Sequence, residues 1–354
     1  PRDFKPLAAS SLATLLARPD LTTNLDPANP DSHLAHILIP RPADTANNTL
    51  VRNYIADTLR GLGWAVEEDS FIDSTPYGDK HFTNVIATKD PTAPRRVVLA
   101  AHFDSKFFPS YPANQFVGAT DSAAPCALML DLAAALDPLL NARAKRLVED
   151  ALLPDEDEDV AETTLQLVFF DGEEAFKDWT DTDSIYGARH LAAKWAAEPL
   201  PPHLRRRRLS PSTAPTALAL VDHLILLDLL GARDPRIRSY FPDTAWLFDA
   251  LAGAEAALHA ARAIGDETSG DGFRSFFLKR TGREISDARM GDDHVPFLRA
   301  GVAVLHVIAE PFPSVWHRLS DDASALHLPT LRRWNAVLRV FFAQYLGLRP
   351  EDVD

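Results

Sequence analysis

Two adjacent glutamates, Glu173 and Glu174, follow closely on the apolar run 165–170 in the stretch LQLVFFDGEEA. Side-by-side carboxylates resist joint ionisation, so a pair at the end of a buried strand suits a division of labour in which one binds a metal and the other moves protons. For an isolated Glu-Glu pair a solvated acidic turn is the plainer reading. Similar residues elsewhere in the chain reverse it. His102 and Asp104 follow the run 96–101, Asp228 stands near the end of 223–230, and His306 lies near the end of 301–308, with His317 shortly after. Singly each is more often structural. Together, imidazoles and carboxylates without a thiolate suit Zn²⁺ in a catalytic, open coordination with three protein ligands and one position for water or substrate.

Such residues meet only if their strands run side by side, and parallel α/β sheets place sites along their carboxyl edge. The expected architecture is therefore α/β, a three-layer sandwich whose central, mostly parallel twisted sheet is flanked by helices. Its 354 residues, 46% of them hydrophobic, suffice for one large domain over 1–354. A Pro-rich arm of about 44 residues, with a short helix near 7–16, wraps that domain. A helix over 46–62 presents Leu50, Val51, Tyr54, Ile55 and Leu59 on one face, with Gly61 and Gly63 as stop signals. Strands over 64–72 and 82–88 pair antiparallel at a sheet edge. Further helices span 124–136, with Pro125 in the first turn, and 184–197 and 244–263. The segment 141–163, with its acidic run 155–159, reads as a solvated surface loop without catalytic role, and the basic run 205–208 as an exposed loop. Loop is also expected after the helix 244–263, as far as Gly291. A last helix, 329–346, carries Leu331, Trp334, Leu338, Phe341, Phe342 and Tyr345 as a core stripe.

The formal net charge of −14 argues against nucleic acid or an anionic membrane as partner. No run reads as a membrane-spanning helix. The chain starts at Pro1, so any targeting segment is expected to have been removed or left out. Cys126 is the only cysteine, which excludes an internal disulfide, and Asn47-Asn48-Thr49 is a sequon that matters only in a secreted protein.

The strings AHFDSK (101–106), VGATDSAAPCALML (117–130), LVFFDGEEAF (167–176), DSIYGARHLA (183–192), LLDLLGA (226–232), DDHVPFLRAGVAVLHVI (292–308) and PFPSVWH (311–317) resemble the animal-type glutaminyl-peptide cyclotransferases, over roughly residues 45–346. That family shares its fold with zinc aminopeptidases of the bacterial leucyl-aminopeptidase type. The resemblance implies one Zn²⁺ per chain on Asp121, Glu174 and His317. It makes Glu173 the general acid/base, with Asp228 and Asp292 in an acidic network around it, and Trp179, Phe312 and Trp316 the walls of the substrate pocket. His102 then supports the site without binding metal, Asp104 orients a neighbour, and His294 and His306 lie behind. Trp179 and Trp316 as half-buried packing, and Asp292 and Asp293 as a helix cap, are the plainer alternatives.

The implied activity is cyclisation of N-terminal glutamine, and more slowly glutamate, to pyroglutamate, on peptides or proteins, by a monomer in the secretory pathway or outside the cell. The residue types fit that chemistry on their own terms. A metal polarises the γ-carboxamide, a carboxylate moves a proton from amine to leaving ammonia, and aromatic walls exclude competing water. Two departures stand out. Ala101 occupies the place of the cysteine that secretory relatives pair with the one at Cys126, and Gly291 replaces a larger polar residue, which predicts a more open rim. A di-zinc aminopeptidase and a non-catalytic peptide-binding relative are the alternative functions.

Overall fold

Runs of apolar residues buried on both sides can only be interior strands, and four of them set the frame. The computed structural model describes residues 4–17, 19–149, 158–200, 216–264, 273–282 and 290–353. Within it β3 (Arg95–His102), β4 (Thr163–Phe170), β5 (Val221–Asp228) and β6 (Ala303–Ile308) are buried along nearly their whole length, as parallel strands covered on both faces must be. β1 (Ala65–Thr75) and β2 (Gly78–Thr88) form a hairpin, and β1 is exposed at alternate positions, as suits an edge. The sheet order is β1-β2-β4-β3-β5-β6. β2 pairs antiparallel with both β1 and β4, and the pairs β3–β4, β3–β5 and β5–β6 are parallel. Register then aligns the carboxyl ends: His102 lies opposite Phe170, and Asp228 opposite Ile308.

Successive strand residues point to opposite faces, and the two faces fill different cores. Val97, Leu99, Leu165, Leu167, Ile225 and Val307 pack under α1 (Ala9–Ala17), α2 (His33–Ile37), α3 (Ala46–Gly61), α4 (Ala124–Glu149), α7 (Ala245–Ala260) and α9 (Leu328–Tyr345). Val98, Ala100, Val168, Leu226 and Val304 pack under α6 (Tyr186–Ala197) and α8 (His294–Arg299). The three layers expected from the sequence are therefore present, and the six stripe residues of α9 are all buried.

Three expectations change. Leu50 is 61% exposed, because it sits one position before Val51 and so about 100° around α3 from the buried line Val51–Ile55–Leu59. The segment 141–163 is not one loop, since α4 continues to Glu149 and a short α5 (Glu158–Ala161) leads into β4. Charge density in 141–149 suggested solvent, yet Arg143 is buried and donates to the carbonyls of Thr163 and Ala161, both at 3.1 Å. Residues 155–157 of the acidic run, and the basic run 205–208, lie outside the described residues. Thirdly, the Asn47 amide donates to Pro40 O (2.8 Å) inside the first turn of α3, so the sequon is folded into a helix.

The N-terminal arm is pinned through a buried polar cluster. Arg339 on α9 donates to Asp131 on α4 (2.7 Å) and to Pro19 O (2.8 Å). Asn335 donates to Asp131 (2.8 Å) and to Leu21 O (3.0 Å). Among the described residues, one helical stretch is long and apolar enough to cross a membrane, 113–148, and 89% of its apolar 18-residue window is buried in the core.

Candidate active site

Past the end of β4 the chain turns through Gly172, whose φ of +71° and contact with the Phe82 ring, 2.4 Å from where a Cβ would stand, admit no side chain. Asp171 braces that turn by accepting from the Thr83 amide (2.8 Å) and the Asn48 side chain (2.9 Å). From the end of β3, Asp104 accepts from the amides of Glu173 (3.1 Å) and Glu174 (3.3 Å). The orienting role expected of Asp104 is thus aimed at the glutamate pair itself. Both glutamates are buried.

Glu174 meets two residues from distant segments. Asp121 comes from the turn before α4, where Gly118 at φ +54° lets the Asp121 carbonyl approach its backbone. His317 comes from the loop after β6. Its Nε2 lies 3.1 Å from Glu174 Oε1 and 3.4 Å from Asp121 Oδ2. Ligand atoms of these three residues all fall within 4.8 Å of one another. Asp121 Oδ2 is buried without a hydrogen-bond donor, a situation that a bound cation would satisfy. Two carboxylates and one imidazole form an open donor set of the zinc type. Burial opposes a charge on His317, but its contacts with Asp121 and Glu174 outweigh that and push its pKa up to about 9.

Asp121 also belongs to a second group, with His102 and Asp228. His102 Nε2 is 3.0 Å from Asp121 Oδ1 and 3.6 Å from Asp228 Oδ1. Burial works against a charged His102, but Glu173, Asp104, Asp121 and Asp228 together hold its pKa well above that of a free imidazole. Asp228 Oδ1 is itself engaged by the Ser122 hydroxyl (2.5 Å) and the Leu229 amide (2.8 Å). Burial and the charge of Asp292 raise Asp228 to about 6.

A third group, Asp292, His294 and His306, lies behind. Asp292 Oδ2 is 2.6 Å from His306 Nε2. Despite burial, the His306 and His294 imidazoles keep Asp292 below the usual carboxylate range. Asp293 stands at the N-cap of α8 but its side chain caps nothing. It is wholly buried with both oxygens unpartnered, and burial and Asp292 push it strongly upward. Burial raises Glu173 as well, with Glu174, Asp292 and Asp293 adding to the effect.

These groups open into a cavity of about 400 Å³ that Trp179, Phe312 and Trp316 wall. Trp316 stacks on His317 at 4.0 Å and meets Phe312 edge-on at 5.0 Å. Trp179 and Trp316 are 45% and 41% exposed, more than packing residues would be, and both face the cavity. The open rim expected at Gly291 does not occur. A Cβ there would stand 2.7 Å from the Trp179 indole nitrogen, so the ring occupies the space a side chain would take. Another cavity, of about 390 Å³, lies between the arm and the C-terminus, but among the described residues no cluster of three metal-donor side chains lines it, so the chemistry belongs to the first.

All nine residues singled out from the sequence border this cavity or the acidic cluster beneath it. Two contributors were missed. Lys106 donates to Glu174 Oε2 and Ala175 O, both at 3.3 Å, and its signal was its place two residues after Asp104 of the His102-x-Asp104 pattern. Asp293 looked like a cap, and its buried, unsatisfied state leaves no mark in sequence.

The family model for "Peptidase family M28" matches residues 84–342. The chain is 43% identical over 324 residues to the mouse (Mus musculus) glutaminyl-peptide cyclotransferase-like protein, covering 89% of this chain and 74% of the relative. It is 42% identical over 315 residues to the glutaminyl-peptide cyclotransferase of the snake Boiga irregularis, covering 88% and 79%. The crystal structure of Macrostomum lignano glutaminyl cyclase superposes with a TM-score of 0.78 at 36% identity, covering 99% of this chain and 97% of that one.

Proposed function

The chain belongs to the glutaminyl-peptide cyclotransferases of peptidase family M28, and from that premise we propose that it converts N-terminal glutamine of peptides and proteins to pyroglutamate with release of ammonia, and N-terminal glutamate more slowly with release of water. The observation that carries this reading is a three-donor metal cluster beside a separate buried carboxyl, Glu173, under one aromatic-walled cavity. A zinc ion on Asp121, Glu174 and His317 would supply Lewis-acid polarisation of the γ-carboxamide oxygen. Glu173 takes the proton of the α-amine as that nitrogen attacks the γ-carbon, and returns it to the amide nitrogen, which leaves as ammonia. Its raised proton affinity suits both halves of that transfer. Asp292, held by His306, acts as a charge that sustains this affinity, and Asp228, held by Ser122 and Leu229, completes the acidic network. Trp179, Phe312 and Trp316 hold the substrate side chain folded and keep out water, which would otherwise yield glutamate.

One zinc per chain is the stoichiometry we favour. What supports it is His102, whose proton affinity four neighbouring carboxylates raise despite burial, and a metal there would have to displace that proton. The geometry of His102, Asp121 and Asp228 nonetheless keeps a di-zinc aminopeptidase as the second reading. A location in the secretory pathway or outside the cell is part of this proposal.

The test is mass spectrometry of a glutamine-initiated peptide after incubation with the protein, with and without a zinc chelator. Loss of ammonia alone, blocked by chelator, is expected. Release of the whole first residue, with two zinc ions per chain, would establish the aminopeptidase instead.

A further inference from the structure

A second cavity, of about 240 Å³, adjoins the reaction pocket, and Trp179 and Gly291 line both. Its other walls include Arg189 and Arg299, with Asp181 as the one acidic side chain. Arg189 is partly spoken for, since it donates to Ser184 O (3.1 Å) and Asp73 (3.4 Å). Arg299, at the end of α8, is exposed and has no hydrogen-bonding or ionic partner among the described residues. Asp73 offsets the charge of Arg189, so Arg299 is the guanidinium left to meet a ligand in this cavity.

The partition between the cavities is built, not incidental. Asp183 accepts from the amides of Phe176 (2.9 Å), Lys177 (2.9 Å) and Asp178 (3.0 Å) and from the Tyr186 hydroxyl (2.8 Å), which fixes the loop that carries Trp179. The lack of a side chain at Gly291 lets the indole lie close against the backbone there. An extended peptide advances about 3.3 Å per residue, so a chain whose first residue sits at Glu173 and leaves past Trp179 places one of its next few residues in the second cavity.

We infer that this second cavity is a subsite for the substrate beyond its N-terminal residue, and that Arg299 selects peptides carrying an acidic side chain there. The inference rests on the cyclase reading and adds a substrate class to it. Exposed pairs of opposite charge are worth a few-fold in binding and weaken with salt.

The experiment compares kcat/KM for glutamine peptides with Glu, Ala or Lys at the second, third or fourth position, alongside the neutral dipeptide Gln-Ala-amide, for the wild type, Arg299→Ala and Arg299→Glu. At one of these positions the wild type should favour Glu over Lys about two- to five-fold at low salt, with the ratio falling towards one at high salt. Arg299→Ala should abolish the preference and Arg299→Glu invert it, with Gln-Ala-amide turned over equally by all three. Turnover of Gln-Ala-amide without a charge preference, or with one that Arg299→Glu leaves intact, overturns the subsite alone. Absence of turnover for every peptide overturns the cyclase reading and the subsite with it.

Discussion

Glu173 and Glu174 are neighbours in sequence with opposite duties, and what separates them is partners. Glu174 faces His317, Asp121 and Lys106, whereas Glu173 has only acidic neighbours and His102. Glu173→Gln should keep about one equivalent of zinc by metal analysis and lose 10²- to 10⁴-fold in kcat; surviving activity would remove Glu173 from the proton transfer. Gly291 tests the pocket wall. Gly291→Ala drives a methyl to within 2.7 Å of the half-exposed Trp179 ring, which must swing outward. On the proposed function that ring would touch the substrate and not the reacting atoms, so steady-state kinetics should show KM raised several-fold with kcat nearly unchanged. At this scale the sequence was highly legible, since the donor types and their positions after apolar runs were all visible. The closeness of Trp179 to Gly291, which closes the rim, was not, because 112 residues separate them in sequence (291 − 179).

Among elements, the buried cluster at Asp131 joins α4, α9 and the N-terminal arm, so helix packing here rests on charge as well as apolar area. Arg339 and Asp131 are both fully buried and 2.7 Å apart. Arg339→Leu leaves Asp131 buried with only amide donors from Asn24 and Asn335, and removing one partner of a buried pair costs about 3–5 kcal/mol. Denaturant unfolding should show that loss, and a change below about 1 kcal/mol would mean that the arm relaxes to solvate Asp131. Strands and helices were placed from apolar periodicity within a few residues. Misjudged stretches were those where charge and burial disagree: Arg143 is buried through its carbonyl partners, and Leu50 is exposed through its angle on α3.

For the whole molecule, the metal cluster joins three segments that the chain brings together only on folding: Asp121, Glu174 and His317. A ligand bound only by the native state stabilises it by mass action, so chelation should lower the melting temperature and added zinc restore it, measured by calorimetry. The pH dependence follows from His317, whose pKa near 9 means a proton must leave before a metal binds. Zinc affinity should therefore fall as pH drops below about 9, by up to tenfold per unit; competition titrations between pH 6 and 9 check it, and a flat response would mean that His317 is no ligand. By itself the sequence determined the mostly parallel sheet and a site along its carboxyl edge, because hydrophobic periodicity and residue chemistry are local properties written along the chain, whereas the choice of Asp121, Glu174 and His317 as donors came from the family resemblance. Only the tertiary structure decided which carboxylates carry protons, that His102 sits among four acids, and that Trp179 fills the gap above Gly291 between two cavities. Proton affinity and shape arise from burial and from contacts between residues far apart in sequence, and no local pattern encodes those.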